Sequence, residues 1–273
     1  MVLRKEKEEA ARNQKYFRPS SLHALNLRFS DWTFFDEYYD KAYDQIHLPA
    51  QLTKTPEDTV INYFSILREA ANLAIRYCGS VGNGNIPYPI AYNFLSKAYQ
   101  KTMDYKAYLN SFAGVGHINL IKLCKIPDET QGIRYFYEIE KIISLIEPNE
   151  EYFGYSYGFI DLIHENGGYR INKIEQERED FLCAPYHLWQ HDAESVIDVK
   201  YGEWCKLIKK RYPAVIRGYV KYIYFYGNDG ASYFFIFFIL TNGTDVEIAS
   251  FRNNGDGKWK PLKMNPDKDC LIQ

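Results

Sequence analysis

Thr55-Pro56-Glu57-Asp58-Thr59-Val60-Ile61-Asn62-Tyr63-Phe64-Ser65-Ile66-Leu67-Arg68 carries the strongest helix start in the chain. Thr55 supplies a capping hydroxyl, Pro56 fits the first helical position, and Glu57 and Asp58 place carboxylates at the positive end of the helix dipole. Val60, Phe64, Leu67, Ala71 and Leu73 or Ala74 recur at three- and four-residue steps, which predicts an amphipathic helix with one buried face, ending near Tyr77.

Cys78-Gly79-Ser80-Val81-Gly82-Asn83-Gly84-Asn85 cannot continue that helix, because glycine and asparagine favour turns and left-handed backbone. It superficially resembles a phosphate-binding loop, but it follows a helix rather than a strand and has no lysine, so it reads as a connector. Pro87 and Pro89 restart the chain into a second helix with Ala91, Phe94, Leu95 and Ala98 on one stripe. Asp104 then caps a short third helix from Tyr105 to Phe112.

These residues resemble a known family. Thr55-Pro56-Glu57-Asp58-Thr59-Val60 with Tyr63-Phe64, then Ala91-Tyr92-Asn93-Phe94-Leu95-Ser96 and Tyr105-Lys106-Ala107-Tyr108-Leu109, resemble the helical opening of bacterial nuclear-transport-factor-2-like domains. The likeness extends to about Glu177. It implies a strongly curved antiparallel sheet wrapped around the long helix as a cone whose open end holds a pocket. That family includes isomerases, cyclases, dehydratases and many non-catalytic partners, so the resemblance speaks to fold before function.

After Gly114 and Gly116 the apolar period changes to two. Ile118, Leu120 and Ile121 begin a strand, and Ile133 to Ile146 follows with Tyr135, Tyr137 and Ile139 on one face. Glu151 to His164 alternates Phe153, Tyr155, Tyr157 and Phe159 with Gly154, Ser156 and Gly158, and Asn166-Gly167-Gly168 turns the chain into Tyr169 to Glu177. Small residues on one face of a strand mark a bend or the close approach of another element.

From Asp180 the order repeats. Asp192 caps a helix carrying Val196, Ile197, Tyr201, Trp204 and Ile208, with Lys209-Lys210-Arg211 at its C-terminal end and Pro213 as its stop. Strands follow at Ala214 to Tyr226, Ser232 to Thr241, Thr244 to Phe251 and Lys258 to Leu262. The predicted class is α+β: helices packed on a curved antiparallel sheet, then a second unit of a helix and an antiparallel meander. The organisation is a charged arm and aromatic helical extension over 1–54, a cone-like domain over 55–180, and a helix with four strands over 181–273. Within the extension, Trp32, Phe34, Phe35, Tyr38, Tyr39 and Tyr43 predict a helix from Asp31 to Asp44 whose aromatic side packs on the main body.

A net charge of −2 gives no electrostatic reason to expect nucleic acid or an anionic membrane as partner. No apolar run is long enough to span a bilayer. The charged opening residues encode no export signal, so the chain as it stands reads as cytoplasmic. A charged arm behind an initiator is also what remains when an upstream anchor is missing, which would make this the soluble part of a membrane-anchored or exported protein. Five cysteines, at 78, 124, 183, 205 and 270, form no regular framework, and reduced thiols are the expectation.

No complete catalytic or cofactor motif is present, and no cofactor is expected. Aromatic residues make up 17% of the chain, and tyrosine combines a large apolar ring with a polar tip. The favoured reading is a non-catalytic module that binds a small molecule or protein through an aromatic pocket or sheet face, with Tyr135, Tyr137, Tyr155 and Tyr157 as candidates. For any one of these rings, filling the core is the plainer role. A homodimer through the sheet is the assembly such a face would support. The alternative is a small-molecule enzyme working in the cone, for which Asp161 and His164 are weak candidates because alternate strand faces separate them. A metal site at Cys183, His187 and His191 is the other alternative, since histidines four apart share a helix face.

Overall fold

A computed structural model describes residues 22–29, 33–73, 83–127, 132–145, 150–179 and 188–271. The chain divides into two compact units, one of Met1–Lys125 and Gly132–Glu179, the other of Ile126–Gln131 and Asp180–Gln273.

In the first unit a single helical turn, α1 (Thr33–Asp36), and two 3-10 turns, Tyr43–Gln45 and Ala50–Thr53, lead to the central helix α2 (Pro56–Arg68). The predicted helix from Asp31 to Asp44 is therefore largely irregular, although Phe35 and Tyr38 do pack into the core. Asp31 and Trp32 lie outside the described residues. At the start of α2 the Thr55 hydroxyl accepts a hydrogen bond from the Asp58 N–H at 3.1 Å and donates one to the Asp58 carboxylate at 2.6 Å. Replacing Thr55 with alanine is expected to cost about 1 kcal/mol, read from urea unfolding followed by circular dichroism. The hydrogen bonds from Thr55 and Arg28 hold the Asp58 carboxyl below its usual range. This contribution is thus present above the unfolded carboxylate pKa of about 4 and is lost as pH falls through the lower folded value.

Every residue from Thr59 to Arg68 is buried, so α2 is enclosed rather than amphipathic. Its polar side chains are satisfied: Thr59 donates to the Thr55 carbonyl, Asn62 to Leu52 and Ser65 to Ile61, at 2.6 to 2.8 Å. Asn26, wholly buried, donates to the carbonyls of Phe64 and Ile118, both at 2.8 Å, and so clips the helix to the sheet. Val60, Phe64 and Leu67, at 0%, 3% and 1% exposure, meet the expectation of burial, as do Phe94 and Leu95. Each such side chain contributes on the order of 2 kcal/mol by leaving water.

The helix ends at Arg68, well before Tyr77. Ala71–Asn72 forms a short edge strand, β1, which pairs with Gly116 and Val115, because the backbone there finds sheet partners that outweigh helix propensity. Ala74 and Tyr77 lie outside the described residues. The predicted second helix is two, α3 (Pro87–Tyr92) and α4 (Lys97–Thr102). Between them Leu95 bridges to Ile171, and Ser96 caps the next helix by accepting from the Tyr99 N–H at 3.0 Å. The third, α5 (Tyr105–Asn110), starts at the Asp104 cap as predicted.

The sheet continues through β2 (Val115–Lys125), β3 (Ile133–Leu145), β4 (Glu150–Glu165) and β5 (Gly168–Arg178), each antiparallel to the next in sequence order. It is strongly curled into a half-barrel, and α2 packs against it within one core cluster. Gly158 shows how the curl is made. The Tyr137 ring on β3 crosses it, and the Tyr137 hydroxyl donates to the Glu175 carbonyl of β5 at 3.2 Å. A β-carbon on Gly158 would overlap the Glu175 carbonyl oxygen, whose carbon lies 2.7 Å away.

In the second unit Asp192 caps a helix as predicted, its carboxylate accepting from the Ser195 N–H at 2.8 Å. The helix α6 (Ala193–Val196) widens into a π-helical stretch, Ile197–Trp204, and stops there. Ile208–Arg211, expected as the helix end, is instead β6, and Ala214 to Tyr226 is a hairpin of β7 (Val215–Arg217) and β8 (Val220–Gly227), turned at Gly218 with φ of 62°. Arg211 still reaches the helix, pairing with Glu194 and Asp198. Then follow β9 (Ser232–Ile239), β10 (Asp245–Asn253), β11 (Lys260–Pro261) and a last helical turn α7 (Pro266–Asp269). The sheet order is β11-β10-β9-β8-β6, all antiparallel, and Tyr201, Phe225, Tyr233, Phe235 and Phe237 anchor its core.

Cys205 and Cys270 are joined by a disulfide, contrary to the expectation of reduced thiols. Sixty-five residues separate them, and the packing of α7 beside the π-helical stretch Ile197–Trp204, held also by a 2.7 Å Lys200–Asp267 ion pair, brings them together. Cys124 is free, and Cys78 and Cys183 lie outside the described residues.

Candidate functional site

The central helix does not fill the hollow of its sheet. A cavity of about 170 Å³ remains among α2, α4, α5 and the concave faces of β2, β3 and β5. Tyr63, Phe64 and Leu67 come from α2, Tyr99 from α4 and Tyr108 from α5, while Tyr137, Ile139, Ile174 and Ile118 form the sheet side. Ser111 and Gln176, both exposed, and the half-buried Lys141 mark the mouth. The volume compares with the cavity of about 150 Å³ that accepts a benzene ring in a protein core.

The lining hydroxyls are largely committed. Tyr108 donates to Tyr63 at 3.3 Å, Tyr137 to the Glu175 carbonyl, Ser111 to the Tyr108 carbonyl at 2.6 Å, and the Tyr99 hydroxyl is bonded to the backbone of Ile174. Burial raises the pKa of Tyr63, Tyr99, Tyr108 and Tyr137, so all four are neutral phenols at physiological pH. Lys141 moves the other way: burial lowers its pKa, and the neighbouring Arg178 charge lowers it further. Among the described residues no carboxylate and no histidine belong to the lining, which offers hydrogen-bonding phenols and one amine.

The predicted tyrosines divide between the two faces of the sheet. In the β3–β4 register Tyr135 lies opposite Ile160 and Tyr137 opposite Gly158, on the helix side, whereas Tyr155 lies opposite Glu140 and Tyr157 opposite Glu138. Each pair does share one side of its own strand, but the four do not form one surface, and only Tyr137 lines the cavity. Tyr135 is buried in the same core cluster. On the far side Tyr155 donates to Glu140, which also accepts from Asn119, itself bonded to Arg68; Lys122 and Glu138 form a buried ion pair at 2.7 Å nearby. Tyr157 donates to Glu177 at 2.8 Å.

Asp161 and His164 are not brought together either. Asp161 pairs with Arg134 at 3.2 Å, and Arg134 also holds Glu175, while the exposed His164 ring meets Tyr169 edge-on. Of the metal candidates, His191 sits in a 3-10 turn, and Cys183 and His187 lie outside the described residues. Among the described residues no group of three or more histidine, cysteine or carboxylate side chains is arranged to hold a metal, and no helix is long and apolar enough to cross a membrane.

Sequence reasoning missed Tyr63, Tyr99, Tyr108 and Lys141 as pocket residues. The helical tyrosines recur where core residues do, and Lys141 breaks the apolar inner face Tyr135, Tyr137, Ile139, Ile143, which is the signal that was there to find. A second aromatic cluster was also not singled out: on β8, β9 and the loop before β11, Tyr224 stacks on Phe234 at 4.3 Å with Trp259 edge-on to both. No protein-family model matches the chain, and no curated protein or solved structure is significantly similar to it.

Proposed function

We propose that the first unit is a nuclear-transport-factor-2-like cone and acts as a non-catalytic binding module for a compact, mostly apolar small molecule. The cone reading rests on the long capped helix packed against a curled antiparallel sheet, with the shorter helices sharing the same core. The binding reading rests on one observation: the cavity is walled by tyrosine, phenylalanine and aliphatic side chains, with no carboxylate or imidazole in its lining among the described residues.

A thermal-shift screen of monocyclic aromatic and alicyclic compounds tests this. Ligands present at about one hundred times their Kd are expected to stabilise the chain by about 2.7 kcal/mol. Ser111→Trp, which places a bulky ring at the exposed mouth, is expected to abolish the shift while leaving the unliganded melting temperature within a few degrees, on the order of a surface substitution. Conversion of any bound compound, followed by mass spectrometry, would establish the enzymatic alternative instead.

The disulfide supports a second reading, on location. A structural bridge persists in oxidising compartments, which favours the soluble part of a membrane-anchored or exported protein. Alkylation of freshly extracted protein with a mass-tagged maleimide is expected to leave Cys205 and Cys270 unlabelled; labelling of both before reduction contradicts it.

A further inference from the structure

The geometry points to a compact organic carboxylate as the cavity's ligand, its ring or branched alkyl body among the aromatic walls and its carboxylate at the mouth, between Lys141, Gln176 and Arg178. This rests on the binding reading above and names the chemical class of the ligand.

The strand register builds the mouth. Lys141 lies opposite Gly154, Ile139 opposite Ser156 and Tyr137 opposite Gly158 on the β3–β4 side. On the other side Ser156 lies opposite Arg178, and Gly158 opposite Gln176. The helix-facing side of β4 thus carries only Gly154, Ser156 and Gly158 here, leaving a shallow trough with Lys141 on one bank and Gln176 and Arg178 on the other. Lys141 and Arg178 lie diagonally across the trough, two register positions apart, with the small Gly154 and Ser156 between them.

The polar side chains of the lining that make no hydrogen bond among the described residues are Lys141 and Gln176, and neither Lys141 nor Arg178 has a carboxylate partner there. The acids of β5 do not help, because Glu175 and Glu177 project from the opposite face and are engaged by Arg134, Lys173 and Tyr157. A desolvated ammonium beside a guanidinium is a poor arrangement by itself, and its lowered pKa records that. An anion between them would accept charge-assisted hydrogen bonds from both, with the Gln176 amide as a further donor. The cavity behind admits one ring but no long chain.

Calorimetric titration at low salt with benzoate and with benzamide, which share size and shape but not charge, tests the inference. The wild-type chain is expected to bind benzoate at least about tenfold tighter, the ratio one charge-assisted hydrogen bond supplies. Lys141→Met is expected to bring benzoate down to the benzamide level while leaving benzamide unchanged, Lys141→Arg to retain the preference, and Arg178→Gln to reduce it. Equal binding of the two compounds by the wild type would overturn the carboxylate inference while leaving the apolar cavity reading intact. Binding of neither would overturn both.

Discussion

Gly158→Ala is expected to destabilise the first unit by about 3 kcal/mol, the upper end of what overpacking a core costs. The new methyl would overlap the Glu175 carbonyl, and carbonyls of a paired strand cannot step aside as a flexible side chain can. To make room, β4 and β5 would have to part at the point where the Tyr137 ring crosses them, so the Tyr137–Glu175 hydrogen bond would go as well. Gly154→Ala is the contrast. There the added methyl meets the Cδ1 end of Ile143, which can rotate, and a loss of about 1 kcal/mol is expected. Urea unfolding followed by far-ultraviolet circular dichroism would measure both. Equal costs at the two positions would show that Gly158 does not shape the curl.

Reduction of the Cys205–Cys270 bridge is expected to cost the second unit about 4 kcal/mol in chain-entropy terms, because the bond closes a loop of 65 residues. That loop contains the whole six-stranded sheet, so its closure restricts most of the unfolded second unit. Trp189, Trp204 and Trp259 all belong to this unit, and Trp189 and Trp204 pack edge to face at 5.5 Å beside the bridge. Tryptophan fluorescence in urea with and without reductant would therefore report it. A Cys205→Ala, Cys270→Ala chain is expected to match the reduced protein. An unfolding midpoint indifferent to reductant would contradict the bridge's structural role.

Where the sequence stated its physics locally, it was legible. The Thr55, Asp104 and Asp192 caps each begin a helix, since a capping side chain and the N–H groups it accepts from lie within three residues. Period-two alternation located β3, β4 and β5 to within a residue or two, and the small residues of β4, read as a bend or a close approach, include Gly158, which the Glu175 backbone closely approaches. The misreadings involve partners distant in sequence. Ala71–Asn72 leaves a helical pattern to pair with Val115 and Gly116, and Ile208–Arg211 leaves one to pair with β8. Neither pairing is visible from the helix-favouring residues themselves. The disulfide is of the same kind.

The site was legible only in part for a related reason. Alternation says that Tyr135 and Tyr137 share a face, and Tyr155 and Tyr157 share one, but which faces coincide depends on the β3–β4 register. Lys141 shares the face of Tyr137 and Ile139 by the same alternation, and the register makes that face the concave one. Its lowered pKa has a consequence for stability as well. Between the folded and unfolded values the unfolded chain holds more protons, so stability rises with pH there, and below both values the buried charge remains a net cost. Lys141→Met is accordingly expected to be neutral or stabilising near pH 7, which makes it a clean probe of binding.

The central claim is that the hollow of the curled sheet receives a compact ligand and does not transform it. Nuclear magnetic resonance of the chain labelled at its leucine and isoleucine methyl groups, titrated with benzoate, tests this most directly. The account predicts shift changes concentrated at Leu67, Leu95, Ile118, Ile139 and Ile174, which line the cavity, with the compound recovered unchanged. Changes centred instead on methyls of the second unit such as Ile223 and Ile236, or chemical conversion of the compound, would contradict it.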